Sequence, residues 1–314
     1  MRISGVVAGL ALSLAACGGG SGGGGSTGTS STASGNAVAA AGLSAQAQLG
    51  ELIFHDASLS ASGRMACATC HVKAEGDAQA NALAAQLGGP GLDQQGSRVA
   101  PSIRYLSFNT PFFFAADGTP TGGFFWDGRA GSLQAQAGQP FLNAVEMANA
   151  SVADVADKLS RASYAATFKQ VFGNDIFSRP DDAFARMTLA LQAYEREDTD
   201  FRAFSSKYDA FLQGRASLAD AELRGLALFN DPAKGNCAAC HPSAKGRDGS
   251  LPLFTDFTYD TLGVPRNPEL VQNANPAFYD LGLCARTVGG VADLATHTDL
   301  CGAFKVPSLR NVAL

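Results

Sequence analysis

The chain has 314 residues, 46% of them hydrophobic, and a net charge of −5. That length suits about two domains and leaves ample apolar material for a buried core. No long basic run occurs, which excludes nucleic acid as a partner on electrostatic grounds.

In chain order, Met1-Arg2 and the apolar residues 3–16 read as an export signal, too short to span a bilayer. The run ends in Leu14-Ala15-Ala16-Cys17, which resembles a bacterial lipobox. The expectation is a signal over 1–17, cleavage before Cys17 and acylation of its sulfur. Gly18, in place of an acidic residue, directs such a lipoprotein to the outer membrane. Residues 18–43 are nearly all Gly, Ser, Thr and Ala, and read as a flexible tether that lets a periplasmic domain stand off its lipid anchor.

The body reads as all-α with long irregular loops. Ser44 is placed to cap a helix through Phe54, with Leu49, Leu52 and Ile53 on one face. Ser151-x-x-Asp154 starts a helix carrying Val152, Val155 and Leu159. Tyr164, Phe168, Val171 and Phe172 stripe another, stopped by Gly173. Pro180 opens a helix with Phe184, Met187, Leu191 and Tyr194 at helical spacing. The stripe Phe201, Phe204, Tyr208 and Phe211 continues into a further helix ended by Gly214, and Ser217-x-x-Asp220 opens one more. Stretches 73–125 and 242–314 are rich in Gly, Pro and Asn and show few alternating strand patterns.

An internal repeat runs through this pattern. Gly50, Phe54 and Asp56 recur at the same mutual spacing as Gly225, Phe229 and Asp231. Each set leads to a Cys-x-x-Cys-His motif, at Cys67, Cys70 and His71 and again at Cys237, Cys240 and His241. A Cys-x-x-Cys pair alone could be a redox dithiol or half a zinc site. Two copies, each followed at once by His in an exported chain, are the pattern of covalent haem c. Thiols one helical turn apart form the two thioethers, and the adjacent histidine is the proximal iron ligand. The expected division is two cytochrome c-like haem domains, 44–205 and 206–314. Only His55 and His297 remain as further histidines, too few to complete two zinc sites, and His55 is expected on a helix surface. With Cys17 assigned to lipid and four cysteines to haem, Cys284 and Cys301 are left as one disulfide pair for an oxidising compartment.

Between the motifs lies Phe125-Trp126-Asp127-Gly128-Arg129-Ala130, followed by Gln136, Pro140 and Val145-Glu146-Met147. The chain ends in Phe304-Lys305-Val306-Pro307-Ser308-Leu309-Arg310-Asn311-Val312-Ala313-Leu314. With Leu49-Gly50-Glu51 and both cysteine motifs, these resemble the bacterial dihaem cytochrome c peroxidase and MauG family from about residue 44 to the last.

The resemblance implies that the His71 haem reacts with peroxide, that the His241 haem transfers electrons, and that Trp126 couples the two. It sets Glu146 and Gln136 over the open face of the first iron. A carboxylate there can carry a proton from one peroxide oxygen to the other, whereas a glutamine can only orient peroxide or water. Arg129 and Arg310 suit either haem propionates or surface salt bridges. The implied function is reduction of hydrogen peroxide to water with electrons from a small cytochrome c or cupredoxin. A MauG-like dihaem oxidase acting through high-valent haem on a protein or small substrate is one alternative. A non-enzymatic dihaem electron carrier is the other.

Three positions depart from the family pattern. No histidine lies between His71 and His241, so none is there to block the first iron at rest. Val99 stands where the family has an asparagine that helps bind calcium between the domains, which weakens the expectation of bound calcium without removing it. The chain stops at Leu314 and has no Met after Met187. Either it is a fragment, or the second haem takes its other axial ligand from His297, a tyrosine or an exogenous molecule.

Overall fold

A computed structural model describes residues 42–285 and 297–314. The signal, the lipobox Cys17 and the tether up to residue 41 lie outside the described residues.

Local signals account for most of the helices. Helix α1, Ala45–Phe54, is capped by the Ser44 hydroxyl, which accepts the Ala47 N–H at 3.1 Å. The single turn α2, Cys67–Cys70, carries the first motif, and the Thr69 hydroxyl accepts the Ala66 N–H ahead of it at 2.9 Å. Helix α3, Leu133–Leu142, was not anticipated from the pattern. It holds Gly138 and Pro140 within its length and is capped by Ser132. Helices α4, Val152–Ser160, α5, Ala165–Phe172, and α6, Pro180–Glu197, follow the expected caps and stops. Gly173 ends α5 at φ +107°, a conformation open to glycine.

The aromatic stripe from Phe201 is not one continuous helix. A 3-10 turn, Thr199–Arg202, is capped by Asp198. The chain then restarts as α7, Lys207–Leu212, where Ser206 and Asp209 form a capping box. Helix α8 runs Asp220–Asn230; its N-terminal amide at Ala219 donates to Glu222 rather than to Ser217.

The main core lies between α1, α3, α4, α5 and α6, around Leu49, Ile53, Phe141, Leu159, Phe168 and Met187. Its closest backbone approach is α1 on α6: a Cβ on Gly50 would sit 2.0 Å from the Ala190 carbonyl oxygen. The matching Gly225 on α8 has open space around it, and α8 buries none of its residues. The long loops carry short antiparallel pairs: β1 (Leu87–Gly88) with β2 (Gln94–Gln95), β3 (Phe113–Phe114) with β4 (Pro120–Thr121), and β5 (Tyr259–Asp260) with β6 (Phe304–Lys305). Phe112, Tyr259, Leu283 and Ala303 form a second, smaller core beside the last pair. Among the described residues no helix is long and apolar enough to cross a membrane.

Candidate active site

A cavity of about 950 Å³ gathers Cys67, Cys70, His71, Trp126, Gln136 and Glu146, a size suited to a large organic ligand. Helix α2 ends on His71, whose N–H donates to the Cys67 carbonyl at 2.9 Å. The His71 ring places Nδ1 3.1 Å from the Asp77 carbonyl. A carbonyl can only accept, so the hydrogen sits on Nδ1 and Nε2 is left as the ligand atom. Burial holds the imidazole below its ordinary pKa, favouring the neutral, metal-binding form, with the Asp77 bond opposing. Burial also pushes the Cys67 thiol up to about 12 and the Cys70 thiol up to about 11, with help from Glu195 and Glu146 respectively. Neutral, half-buried thiols suit thioether attachment better than a thiolate zinc site or a reactive dithiol. Among the described residues no cluster of three or more His, Cys, Asp or Glu side chains could hold a free metal ion. Two thiols, one oriented imidazole and a large cavity fit haem c.

Gln136 projects from α3 and is buried. Glu146 is not on a helix. Pro140 lies in the last turn of α3, and the chain then folds back on itself. Met147 N–H donates to the Pro140 carbonyl at 3.1 Å, and Glu146 N–H to that of Asn143 at 3.0 Å. The β1–β2 hairpin braces this turn: Gly89 N–H donates to the Glu146 carbonyl at 2.8 Å, and a Cβ on Gly88 would meet the Val145 oxygen at 2.3 Å. Burial raises the Glu146 pKa, while the Arg129 charge and an Asn143 hydrogen bond pull it back. A carboxyl poised this way can both hold and release a proton.

Trp126 is fixed at both ends. Its indole N–H donates to the Val99 carbonyl at 3.0 Å, and its own carbonyl accepts the Lys305 N–H at 2.8 Å. Next to it, the fully buried Asp127 accepts from Arg98 at 2.8 Å and from Arg129 at 3.1 Å. Arg98 also reaches Asp280 at 2.7 Å. Arg129 further bonds Gln139 and lies 3.6 Å over the Phe125 ring. These residues do not suit calcium: Val99 offers no side-chain oxygen, and the two nearby carboxylates are bridged by a guanidinium.

One functional candidate escaped sequence reasoning. Glu195 lies on α6, 5% exposed, at the wall of the same cavity, and its Oε2 has no hydrogen-bond partner among the described residues. Burial, reinforced by Asp77, pushes its carboxyl up to about 8. In sequence it sits in the charged run Glu195-Arg196-Glu197-Asp198, yet it stands one helical turn after the buried Leu191, which is the available signal.

The second motif lies outside this cavity. Cys237–Ala239 form a 3-10 turn, and His241 N–H donates to the Cys237 carbonyl at 2.9 Å. His241 Nδ1 lies 2.8 Å from the Phe254 carbonyl, so this imidazole is oriented as His71 is. Arg310 is not a surface residue. It is buried against Asp209 with contacts of 2.7 and 3.0 Å. Cys284 and Cys301 form a disulfide, with Cα atoms 4.8 Å apart. His55 is exposed at the end of α1, and His297 packs its ring 5.6 Å from Phe114.

A profile of di-haem cytochrome c peroxidases matches residues 44–217. The methylamine utilization protein MauG of Paracoccus denitrificans is 37% identical over 296 residues, covering 88% of this chain and 73% of its own. The cytochrome c551 peroxidase of Nitrosomonas europaea is 31% identical over 272 residues, covering 85% of this chain and 66% of its own. Among solved structures, the diheme peroxidase BthA from Burkholderia thailandensis superposes with a TM-score of 0.77 at 36% identity, over 85% of this chain and 66% of that one. The chain therefore spans between 66% and 73% of the length of these relatives.

Proposed function

The chain belongs to the di-haem cytochrome c peroxidase family, and on that premise we propose that it reduces hydrogen peroxide to water at the His71 site. Two electrons and two protons convert one peroxide to two waters. The electrons enter through the His241 site from a small cytochrome c or cupredoxin, in the periplasm, with Cys17 as the lipid anchor. The observation that carries this reading is a half-buried carboxyl, Glu146, with a raised pKa, sharing one cavity with His71 and Gln136.

A haem bound at Cys67, Cys70 and His71 would supply the iron that binds peroxide and the electrons that split its O–O bond. Glu146 takes the proton from the oxygen nearer that position and returns it to the leaving oxygen. The Gln136 amide orients peroxide without exchanging protons. Arg129 keeps Glu146 from being too weak an acid to give its proton up. Trp126, pinned between Val99 and Lys305, offers a fixed aromatic ring between the cavity and the chain's last segment.

Replacing Glu146 with Gln keeps shape and hydrogen bonding but removes proton transfer. Stopped-flow reaction of the ferric protein with peroxide should slow by about 10²–10⁴. Equal rates for the two proteins would leave Glu146 structural and favour the electron-carrier reading. A MauG-like oxidase is the second reading, supported by the absence of any histidine between His71 and His241. Steady turnover of peroxide with a reduced cytochrome favours the peroxidase; reaction with peroxide without such turnover favours the oxidase.

A further inference from the structure

The two proximal histidines are held by the same device, built from a four-residue segment that occurs twice: Pro101-Ser102-Ile103-Arg104 and Pro307-Ser308-Leu309-Arg310. In the first copy, the Ser102 hydroxyl donates to the Gly76 carbonyl at 2.6 Å, and Ile103 N–H donates to the Asp77 carbonyl at 3.1 Å. In the second, the Ser308 hydroxyl donates to the Leu253 carbonyl at 2.6 Å, and Leu309 N–H donates to the Phe254 carbonyl at 3.3 Å. Asp77 and Phe254 are the residues whose carbonyls accept from His71 and His241. Both are non-glycine residues in the left-handed region, at φ 55° and 54°. That conformation is unfavourable for Asp and more so for Phe, and it persists only where neighbouring contacts impose it.

The arginine of each copy supplies the anchor. Arg104 donates to the Asp77 carboxylate at 2.6 Å and to the Lys73 carbonyl at 2.9 Å. Arg310 donates to both oxygens of the fully buried Asp209 and to the Pro252 carbonyl at 2.8 Å. Its guanidinium also lies 5.8 Å from the Phe254 ring and 4.4 Å from that of Phe204. Each arginine therefore grips the residues that fix one carbonyl.

The geometry points to these Pro-Ser-Ile/Leu-Arg segments as positioning clamps for the proximal histidines, each setting the Nδ1–H···O=C bond, and so the electron donation, chiefly at its own haem, although Ser308 and Arg310 also border the His71 cavity. A stronger bond at Nδ1 makes the imidazole a better donor and stabilises ferric iron, which lowers the reduction potential; a looser bond raises it. The clamps also differ in charge. Asp77 brings a carboxylate beside His71, while the Phe254 clamp keeps its carboxylate on Asp209, bound to Arg310. The inference rests on each Cys-x-x-Cys-His motif holding a haem, and not on which reaction the first haem performs.

Spectroelectrochemical titration of four variants of the full holoprotein tests it. A pyridine haemochrome assay first counts the haems; fewer than two per chain would refute the dihaem reading itself, separately from the clamp. Arg310→Lys and Ser308→Ala should raise the midpoint potential of the His241 haem by more than that of the His71 haem, whose cavity they also border. Arg104→Lys and Ser102→Ala should do the reverse. Lysine keeps the charge and loses the forked geometry, so a shift reports position rather than charge. Each serine variant removes one hydroxyl and keeps the rest of the clamp, so the test stands if a lysine variant does not accumulate folded. Equal movement of both potentials within a folded variant, or no movement in any of the four, would overturn the proposal.

Discussion

Glu195 should make the protein's stability depend on pH in a way that one substitution removes. Its carboxyl is pushed from an ordinary value of 4.5 up to about 8, first by burial and then by the Asp77 charge, and Oε2 finds no partner among the described residues. In the folded protein the group is therefore neutral at pH 7, whereas in the unfolded chain it is ionised. Between those two pKa values the folded state binds the extra proton, so stability falls as pH rises through the window and levels off above pH 8. The slope approaches about 1.4 kcal/mol per pH unit, which amounts to a few kcal/mol across the range. Glu195→Gln keeps the volume and cannot ionise. Any cost of seating its amide is the same at every pH, so the gain of the variant over wild type should grow steadily from pH 5 to pH 8. Guanidinium denaturation of both holoproteins at half-unit pH intervals measures that difference. A difference that stays flat with pH would refute the reasoning, because it would mean that Glu195 is ionised in the folded state.

Gly50→Ala should destabilise by about 1–3 kcal/mol or more through overpacking, because the new methyl meets the Ala190 backbone at 2.0 Å. Replacing Cys284 and Cys301 together by serine should cost about 3 kcal/mol on the chain-entropy account; mass spectrometry that finds both native thiols free would remove the basis for it. Chelation with EGTA should leave the melting curve unchanged, because Arg98 bridges the carboxylates of Asp127 and Asp280. Arg98→Gln should destabilise by on the order of 3 kcal/mol by loosening the buried Asp127, and calcium that rescued this variant to wild-type stability would show that a cation site exists there.

Helix ends were legible in the sequence wherever a cap is a local event, as at Ser44, Ser151, Pro180 and Gly173. Helix α3 was not, because Gln134-Ala135-Gln136-Ala137-Gly138 carries little apolar period. Its Gly138 earns its place only through Phe184 and Thr188 on α6, a tertiary contact. The break between Phe201 and Tyr208 escaped notice because an unbroken aromatic stripe outweighed the Asp198 and Ser206 caps. Both Cys-x-x-Cys-His motifs were plain, since covalent attachment fixes residue type and spacing together. Arg310 stood open between a propionate and a surface partner because sequence does not report depth; it is buried on Asp209. The carbonyls that orient His71 and His241 have no residue signature of their own, being backbone atoms. The repeated Pro-Ser-Ile/Leu-Arg was the trace they left.

The hairpin brace behind Glu146 bears on how such a site can diversify. The carboxyl's backbone hangs on Gly89, and Gly88 packs so tightly against Val145 that no side chain fits without moving the turn. A lineage can therefore relocate the Glu146 carboxyl by lengthening or substituting the 87–95 hairpin, with the side chains around it left intact. Selection for a new reductant or a bulkier substrate would find that hairpin a cheaper target than the cavity wall, and comparison of pocket residues alone would not detect the change.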